Sequence, residues 1–186
     1  MSIRAKYEAE LDKVFVKLVD MCHETQLSIE KSISALKNRD KVLAREVMSE
    51  DAHIDAMERD IEQDCLKILL MEHPFAGDFR DVSAALKMIT DLERIADQAA
   101  DISELSLQFG EDNYIKEPEH IEIMSKLVIG MVRDSVASYI NRDLETAMGL
   151  DKRDDRVDAL FEEVKHDLVN LIRENSDNAD QAILFM

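Results

Sequence analysis

Carboxylates recur at helical spacing between Asp91 and Ile102, in the segment DLERIADQAADI. Within it, Glu93, Asp97 and Asp101 follow one another at intervals of four residues. On a helix such residues form one stripe, while the apolar residues between them gather on the opposite side. Because like charges at this spacing repel one another, the stripe favours the binding of a cation.

A second acidic stripe precedes the first and consists of Asp51, Asp55, Glu58 and Glu62. A short connection around Pro74 would make the two helices antiparallel neighbours and bring their carboxylates onto adjoining surfaces. Carboxylate oxygens at that density are ligands for hard cations such as Mg²⁺, Mn²⁺, Ca²⁺ or Fe³⁺. The chain carries 41 acidic residues, so this spacing also arises by chance, and a solvated acidic face is the competing interpretation.

The composition predicts that these stripes lie in an all-α protein. Only 4 glycines and 2 prolines interrupt 186 residues, which is too few turn-forming residues for a sandwich or a barrel. A net charge of -18 disfavours binding to nucleic acid or to an anionic membrane surface. No apolar run approaches the roughly 20 residues of a membrane span, and no leader is evident, so we expect a cytoplasmic protein without membrane insertion.

Apolar residues that step by threes and fours predict three long helices before residue 110. The first ends near Asp40, the second runs to about Met71 and the third reaches Phe109. Asp40 and Asp78 are candidate N-caps for the second and third helices. In this pattern Cys22 and Cys65 fall within apolar stripes, so we expect buried thiols and no disulfide.

The pattern then starts again at a shift of 103 residues, without gaps. The repeated features include a turn and a pair of acids: Asn-Arg-Asp at 38–40 and at 141–143, and Asp51 with Asp55 returning as Asp154 with Asp158. This predicts a tandem repeat of two antiparallel three-helix bundles. We expect the first at residues 1–110, a linker at 111–119 and the second at 120–186. At this shift Met186 corresponds to Ser83, so we expect the second bundle to lack most of its third helix.

The segment DLERIADQAADI, the earlier segment DAHIDAME from Asp51 to Glu58 and the tandem repeat together resemble the PhoU family of phosphate-uptake regulators. The resemblance implies a cytoplasmic homodimer without enzymatic activity. It would repress high-affinity phosphate transport and phosphate-starvation signalling. The implied partners are the ATPase of a phosphate ABC transporter and a phosphate-sensing histidine kinase.

The resemblance also implies metal clusters held by Glu/Asp-x-x-x-Asp motifs on the helix surface. The implied ions are iron, manganese, magnesium or zinc. Asp101 stands where the family commonly has asparagine and adds a carboxylate. No catalytic residue is predicted. The candidate metal ligands from the two acidic stripes, from the family motifs and from their repeated positions are Asp51, Asp55, Glu58, Glu62, Glu93, Asp97, Asp101, Asp154 and Asp158.

Two alternatives to a metal-binding regulator follow from the sequence. A ferritin-like di-iron oxidase uses Glu-x-x-His pairs on facing helices, and Glu50 with His53 and Glu163 with His166 have that spacing. These pairs do not occupy equivalent positions in the two repeats, which argues against the oxidase. The other alternative is a helical adaptor that binds partners and no metal. No glycine-rich phosphate loop or nucleophile elbow supports another class of enzyme.

Overall fold

The computed structural model describes residues 3–71, 76–110 and 113–186, and throughout these ranges it contains helices and no strands. The prediction of an all-α protein is confirmed. The predicted connection at Pro74 and the first two residues of the predicted linker lie outside the described residues. The helices are α1 (Ile3–Asn38), α2 (Lys41–Met71), α3 (Ala76–Gln108), α4 (Glu119–Asn141), α5 (Leu144–Met148), α6 (Asp151–Glu174) and α7 (Ala179–Phe185), with a 3₁₀ turn at Ser176–Asn178 before α7.

The first three helices pack side by side around one apolar core. Each contributes side chains from a single face, as the spacing in threes and fours predicts. Cys22 and Cys65 belong to this core and are free thiols, as expected. The most deeply buried members include Val14, Leu18 and Met21 from α1, Ile61 and Cys65 from α2, and Val82, Ala85 and Ile89 from α3.

Helix α4 joins the second unit to the first by packing along α1. Its residues Val132 and Val136 are buried in the core of the first unit. Near the end of α4, the Tyr139 ring meets Phe15 edge-on with 5.5 Å between the ring centroids. The Tyr139 hydroxyl donates a hydrogen bond of 2.6 Å to the carbonyl oxygen of Asp81. The two units therefore share a continuous core.

The turn between the first two helices of each unit has the same backbone conformation. Arg39 and Arg142 occupy equivalent places and adopt left-handed conformations, with φ of 54° and 56°. Such residues end helices by redirecting the chain. The aspartate that follows caps the next helix in both cases: Asp40 accepts two backbone hydrogen bonds of 3.0 Å, and Asp143 accepts one of 3.0 Å from Thr146. This pairing supports the predicted two-repeat arrangement.

The second helix of the two units differs in continuity. In the first unit α2 runs unbroken, whereas in the second unit α5 stops after Met148 and α6 begins at Asp151. Gly149, where α5 ends, stands at the position of Glu46 in the first unit. Glycine is a poor helix former, so its presence at this position is consistent with the break between α5 and α6.

Asp78 does not cap α3 as the sequence suggested, because the helix already begins at Ala76. Asp78 instead lies in the first turn, where its carboxylate accepts a hydrogen bond of 2.7 Å from Arg4. Its negative charge still interacts favourably with the positive end of the helix dipole. None of the helices in the described ranges combines the length and the apolar character that a transmembrane segment requires.

Candidate metal centre

Three aspartates meet on the adjoining surfaces of α2 and α3. Asp51 and Asp55 lie one turn apart on α2, and Asp97 faces them from α3. One carboxylate oxygen from each lies within 4.8 Å of the others, and all three side chains are partly buried. The neighbouring residues Ile54 and Ala96 are buried in the core, so the helices are fixed with these carboxylates at the edge of their interface. The two acidic stripes therefore converge here, and we call these three residues the acidic cluster.

Two glutamates extend the negative charge of the acidic cluster. Glu93 precedes Asp97 by one turn, and its pKa is raised by partial burial and then by the charges of Asp97 and Glu58. Glu58 accepts a hydrogen bond of 2.9 Å from the hydroxyl of Thr90, which ties α2 to α3. Thr90 was not predicted, because an isolated threonine on a helix has no distinctive spacing.

The electrostatics of the acidic cluster favour a bound cation. The pKa of Asp51 is raised by partial burial, then by the charges of Asp97 and Asp55. Arg59 lies 3.4 Å from Asp55, but its side chain is 61% exposed, so this pair provides little compensation. A proton or a metal ion would relieve the repulsion among these carboxylates.

Two of the other predicted ligands lie on the same helices as the acidic cluster. Asp101 is exposed one turn beyond Asp97; it raises the pKa of Asp51 and accepts a hydrogen bond of 3.3 Å from Gln98. Glu62 is exposed on α2, one turn beyond Glu58, and is not part of the three-residue group.

The two predicted ligands of the second unit lie apart from the acidic cluster. Asp154 and Asp158 are both exposed on α6. Asp154 borders a groove between α3 and α4 that Asp91 also lines. Among the described residues, neither belongs to a group of three closely spaced metal-binding side chains.

The donors at the acidic cluster are all carboxylate oxygens. Mg²⁺, Mn²⁺, Ca²⁺ and Fe³⁺ prefer such ligands, whereas structural zinc sites use cysteine and histidine. The metal clusters implied by the sequence resemblance therefore fit the residues present at this site. Asp51, Asp55 and Asp97 would bind the ion directly, and Glu58, Glu93 and Asp101, each about one helical turn from a member of the cluster, would be the candidates for binding further ions.

The model of the PhoU domain matches residues 18–106 and 121–186 of the chain. The chain belongs to the PhoU family. The phosphate-specific transport system accessory protein PhoU homolog of Aquifex aeolicus is 33% identical over 174 residues, which cover 94% of this chain and 79% of that protein. The homolog of Clostridium acetobutylicum is 29% identical over 184 residues, covering 98% and 84% of the two chains.

Solved PhoU structures share the helical arrangement. The crystal structure of PhoU from Pseudomonas aeruginosa superposes with a TM-score of 0.91 at 26% identity, covering 96% of this chain and 86% of that one. The phosphate transport system regulatory protein PhoU from Streptococcus pneumoniae superposes with a TM-score of 0.87 at 22% identity, covering the same shares, and supports the fold alone. The predicted PhoU-like fold is confirmed.

Proposed function

We propose that this PhoU protein is an accessory protein of a phosphate transport system that represses high-affinity phosphate uptake and phosphate-starvation signalling. The main support is the family match in both units, together with relatives that bear the name of phosphate transport accessory proteins and align with more than nine-tenths of this chain. The protein would act in the cytoplasm as a homodimer. It would bind the transporter ATPase and a phosphate-sensing histidine kinase without catalysing a reaction.

The acidic cluster would contribute to this function by holding metal ions between α2 and α3. Without a cation, the carboxylates of Asp51, Asp55 and Asp97 repel one another across the two helices. A bound ion would join α2 to α3 and change the charge that this surface presents to a partner. The family motif also implies ligands at Asp154 and Asp158, but among the described residues no third carboxylate faces this pair, so we assign the metal site to the first unit alone.

Deletion of the gene in its host tests the regulatory role. When phosphate is abundant, we expect the deletion strain to take up phosphate and express phosphatase at the high levels typical of starvation. A plasmid carrying the wild-type gene should restore repression. Normal repression in the deletion strain would contradict the proposed function.

Metal content tests the role of the acidic cluster. The purified protein is loaded with Mn²⁺ or Fe³⁺, freed of excess ions and subjected to elemental analysis. We expect the wild type to retain metal and the double variant Glu93→Gln with Asp97→Asn to lose the share bound at the first unit. Glu104→Gln is the matched control, because Glu104 is exposed on α3 about two turns from Asp97. Equal metal retention in the wild type and the double variant would contradict the assignment.

These two experiments, together with a measurement of oxygen consumption, separate the alternatives. A metal-free adaptor or an oxidase would leave repression normal in the deletion strain, and the adaptor would in addition bind no metal. A di-iron oxidase would consume oxygen when mixed with Fe²⁺, and this activity would be lost on substitution of a Glu-x-x-His pair. Glu50 of the first such pair is already engaged, since it lies 2.7 Å from the ammonium group of Lys31.

A further inference from the structure

A groove lies between α3 and α4, on the side where α6 begins. Its volume is about 350 Å³, and its lining is mainly apolar. Met88 and Ile95 of α3 and Val128 and Met131 of α4 line it and are only partly buried. We call this feature the α3–α4 groove. None of these four residues belongs to the acidic cluster, so the groove is a separate surface.

The repeat shows what covers the equivalent surface in the first unit. At the shift of 103 residues, Val128 corresponds to Thr25 and Met131 to Ser28. Thr25 and Ser28 are buried, and the Thr25 hydroxyl lies 3.5 Å from the carbonyl oxygen of Leu92 on α3. The first unit thus covers two small polar residues with a helix. The second unit has larger apolar residues at these positions and leaves them partly exposed.

Helix α7 starts at the position equivalent to the start of α3 but does not cover the groove. Ala179, its first residue, lies 103 residues after Ala76. The helix packs on α6, where Ala182 is buried against Val164 and Leu168. None of the residues of α7, all of which the structure describes, lines the α3–α4 groove. The surface that α3 covers in the first unit is therefore open in the second.

The dimensions of the α3–α4 groove fit the apolar side of one helix. The groove extends along α4 from Val128 to Val136, which corresponds to about 12 Å of helix. A helix that presents apolar residues at i, i+3 or i+4, and i+7 spans about the same distance. Met88 and Met131 have flexible side chains that can adapt to such a ligand.

The charges of the groove select among possible ligands. Both charged residues in its lining are acidic: Asp91 on α3 and Asp154 on α6. Arg94 lies 3.7 Å from Asp91 but is 74% exposed, so it offers little compensation. A second copy of this chain, with a net charge of -18, would bring further negative charge to this surface. Lysine or arginine on the ligand would instead complement the two aspartates.

We propose that the α3–α4 groove binds an amphipathic helix of a partner protein, with apolar residues towards the groove and basic residues at its edges. This inference rests on the proposed function, in which the protein acts by binding partners, and assigns one such contact to a surface. The apolar side chains would pack on Met88, Ile95 and Met131. The basic side chains would pair with Asp91 and Asp154.

Fluorescence anisotropy with a labelled synthetic peptide tests this proposal. The probe is a short peptide of leucine and lysine whose leucines recur at i, i+3 or i+4, and i+7, and the control peptide has glutamate in place of lysine. At about 0.15 M salt, where long-range attraction is screened, we expect the leucine–lysine peptide to bind saturably and the leucine–glutamate peptide not to bind. Equal binding of the two peptides would overturn the proposal.

Variants of the protein locate the binding surface. Val128→Thr with Met131→Ser gives the second unit the residues of the first, and we expect it to weaken peptide binding at least about tenfold. Ile123→Thr with Met148→Ser is the matched control, because both residues are exposed and lie outside the groove lining. Circular dichroism checks that both variants fold. Unchanged affinity in the folded groove variant would overturn the proposal.

Light scattering distinguishes a partner helix from a second copy of this chain. A wild-type dimer that fails to bind the leucine–lysine peptide and that Val128→Thr with Met131→Ser separates into monomers would overturn the proposal, because the groove would then join two copies. The binding assay and the deletion experiment fail independently. Normal repression in the deletion strain contradicts the regulatory role, whereas unchanged peptide affinity in the groove variant contradicts the assignment of this surface alone.

Discussion

The two units carry acids at equivalent positions of their second helices but place them in different surroundings. In the first, Asp51 and Asp55 of α2 face Asp97 of α3 at distances that one ion could bridge. In the second, Asp154 and Asp158 are exposed on α6, without such a partner among the described residues. A repeated pair of acids therefore becomes a candidate metal site only where a neighbouring helix contributes a third ligand.

A second difference between the units lies further along α2 and α6. Lys17 contacts two aspartates in the first unit, whereas His120 faces Glu163 across a gap in the second. The first unit thus pairs these acids with a lysine of its own chain, whereas the equivalent histidine of the second unit lies 4.0 Å from Glu163. The repeat preserves the turn and the core, while single substitutions change the contacts of the charged side chains on the surface.

The largest expected effect is the loss of stability caused by substitutions in the cores of the two units. Leu18 and Leu168 are both completely buried, but Leu18 belongs to the large core of α1 to α3 and Leu168 to a small cluster with Val164 and Ala182. We expect Leu18→Ala to lower the free energy of unfolding by about 4 kcal/mol and Leu168→Ala by about 2 kcal/mol, because the smaller cluster can relax around the cavity. Urea denaturation measures both values. A larger loss for Leu168→Ala would show that the second unit is the more tightly packed.

The next effect compares the two capped turns. Replacing Asp40 or Asp143 by alanine removes the side-chain acceptor at the start of a helix. We expect each substitution to lower the free energy of unfolding by about 1 kcal/mol. Thermal melts of the two variants, with Asp12→Ala on exposed α1 surface as a control, provide the measurement. A loss at only one turn would contradict their structural equivalence.

The smallest expected effect is the pH dependence of stability that arises from two acids with opposite pKa shifts. In the metal-free protein the pKa of Asp51 is raised, so the folded state binds its proton more tightly than the unfolded chain does. The contribution of Asp51 to stability therefore falls as the pH rises from about 4, the pKa in the unfolded chain, through the raised pKa of the folded state. The pKa of Asp134 is lowered by hydrogen bonds from Arg153 and then Arg133. Its contribution to stability is therefore present when the pH is above the pKa of the unfolded chain, and it is lost as the pH falls through the pKa of the folded state.

Neutralising variants should reveal these opposite signs near neutral pH. We expect Asp51→Asn to raise the free energy of unfolding by about 0.5 kcal/mol at about pH 7, and Asp134→Asn to lower it by a similar amount. The Asp51 difference should shrink as the pH falls towards about 4, whereas the Asp134 difference should persist to about pH 4 and be lost below it. Urea midpoints in the presence of a chelator measure them, and differences of the same sign would contradict the described electrostatics.

Much of the fold could be predicted from the sequence, because long amphipathic helices have strong periodicity. The end of α1 and the start of α2 were predicted from the Asn-Arg-Asp turn, which also revealed the repeat. The break at Gly149 was not predicted, since one glycine within a helical pattern does not require an interruption. The prediction of Asp78 as a cap was wrong, because the start of a helix depends on local backbone geometry that composition does not determine.

The candidate site was predicted in part. Helical spacing placed Asp51, Asp55 and Asp97 on facing stripes, and the structure brings them together. Helical spacing could not show that Glu62 would lie outside this group, because the position of a residue relative to the partner helix depends on how the two helices are offset. The division at residues 110 and 119 and the metal ligands themselves stay predictions.

Anomalous X-ray diffraction from a crystal of the Mn²⁺-loaded protein tests the central claim most directly. The claim predicts an anomalous peak between α2 and α3, bounded by the carboxylates of Asp51, Asp55 and Asp97, and its loss in Asp51→Asn with Asp97→Asn. Loaded crystals with no peak at these carboxylates, or with an unchanged peak in the double variant, would contradict it.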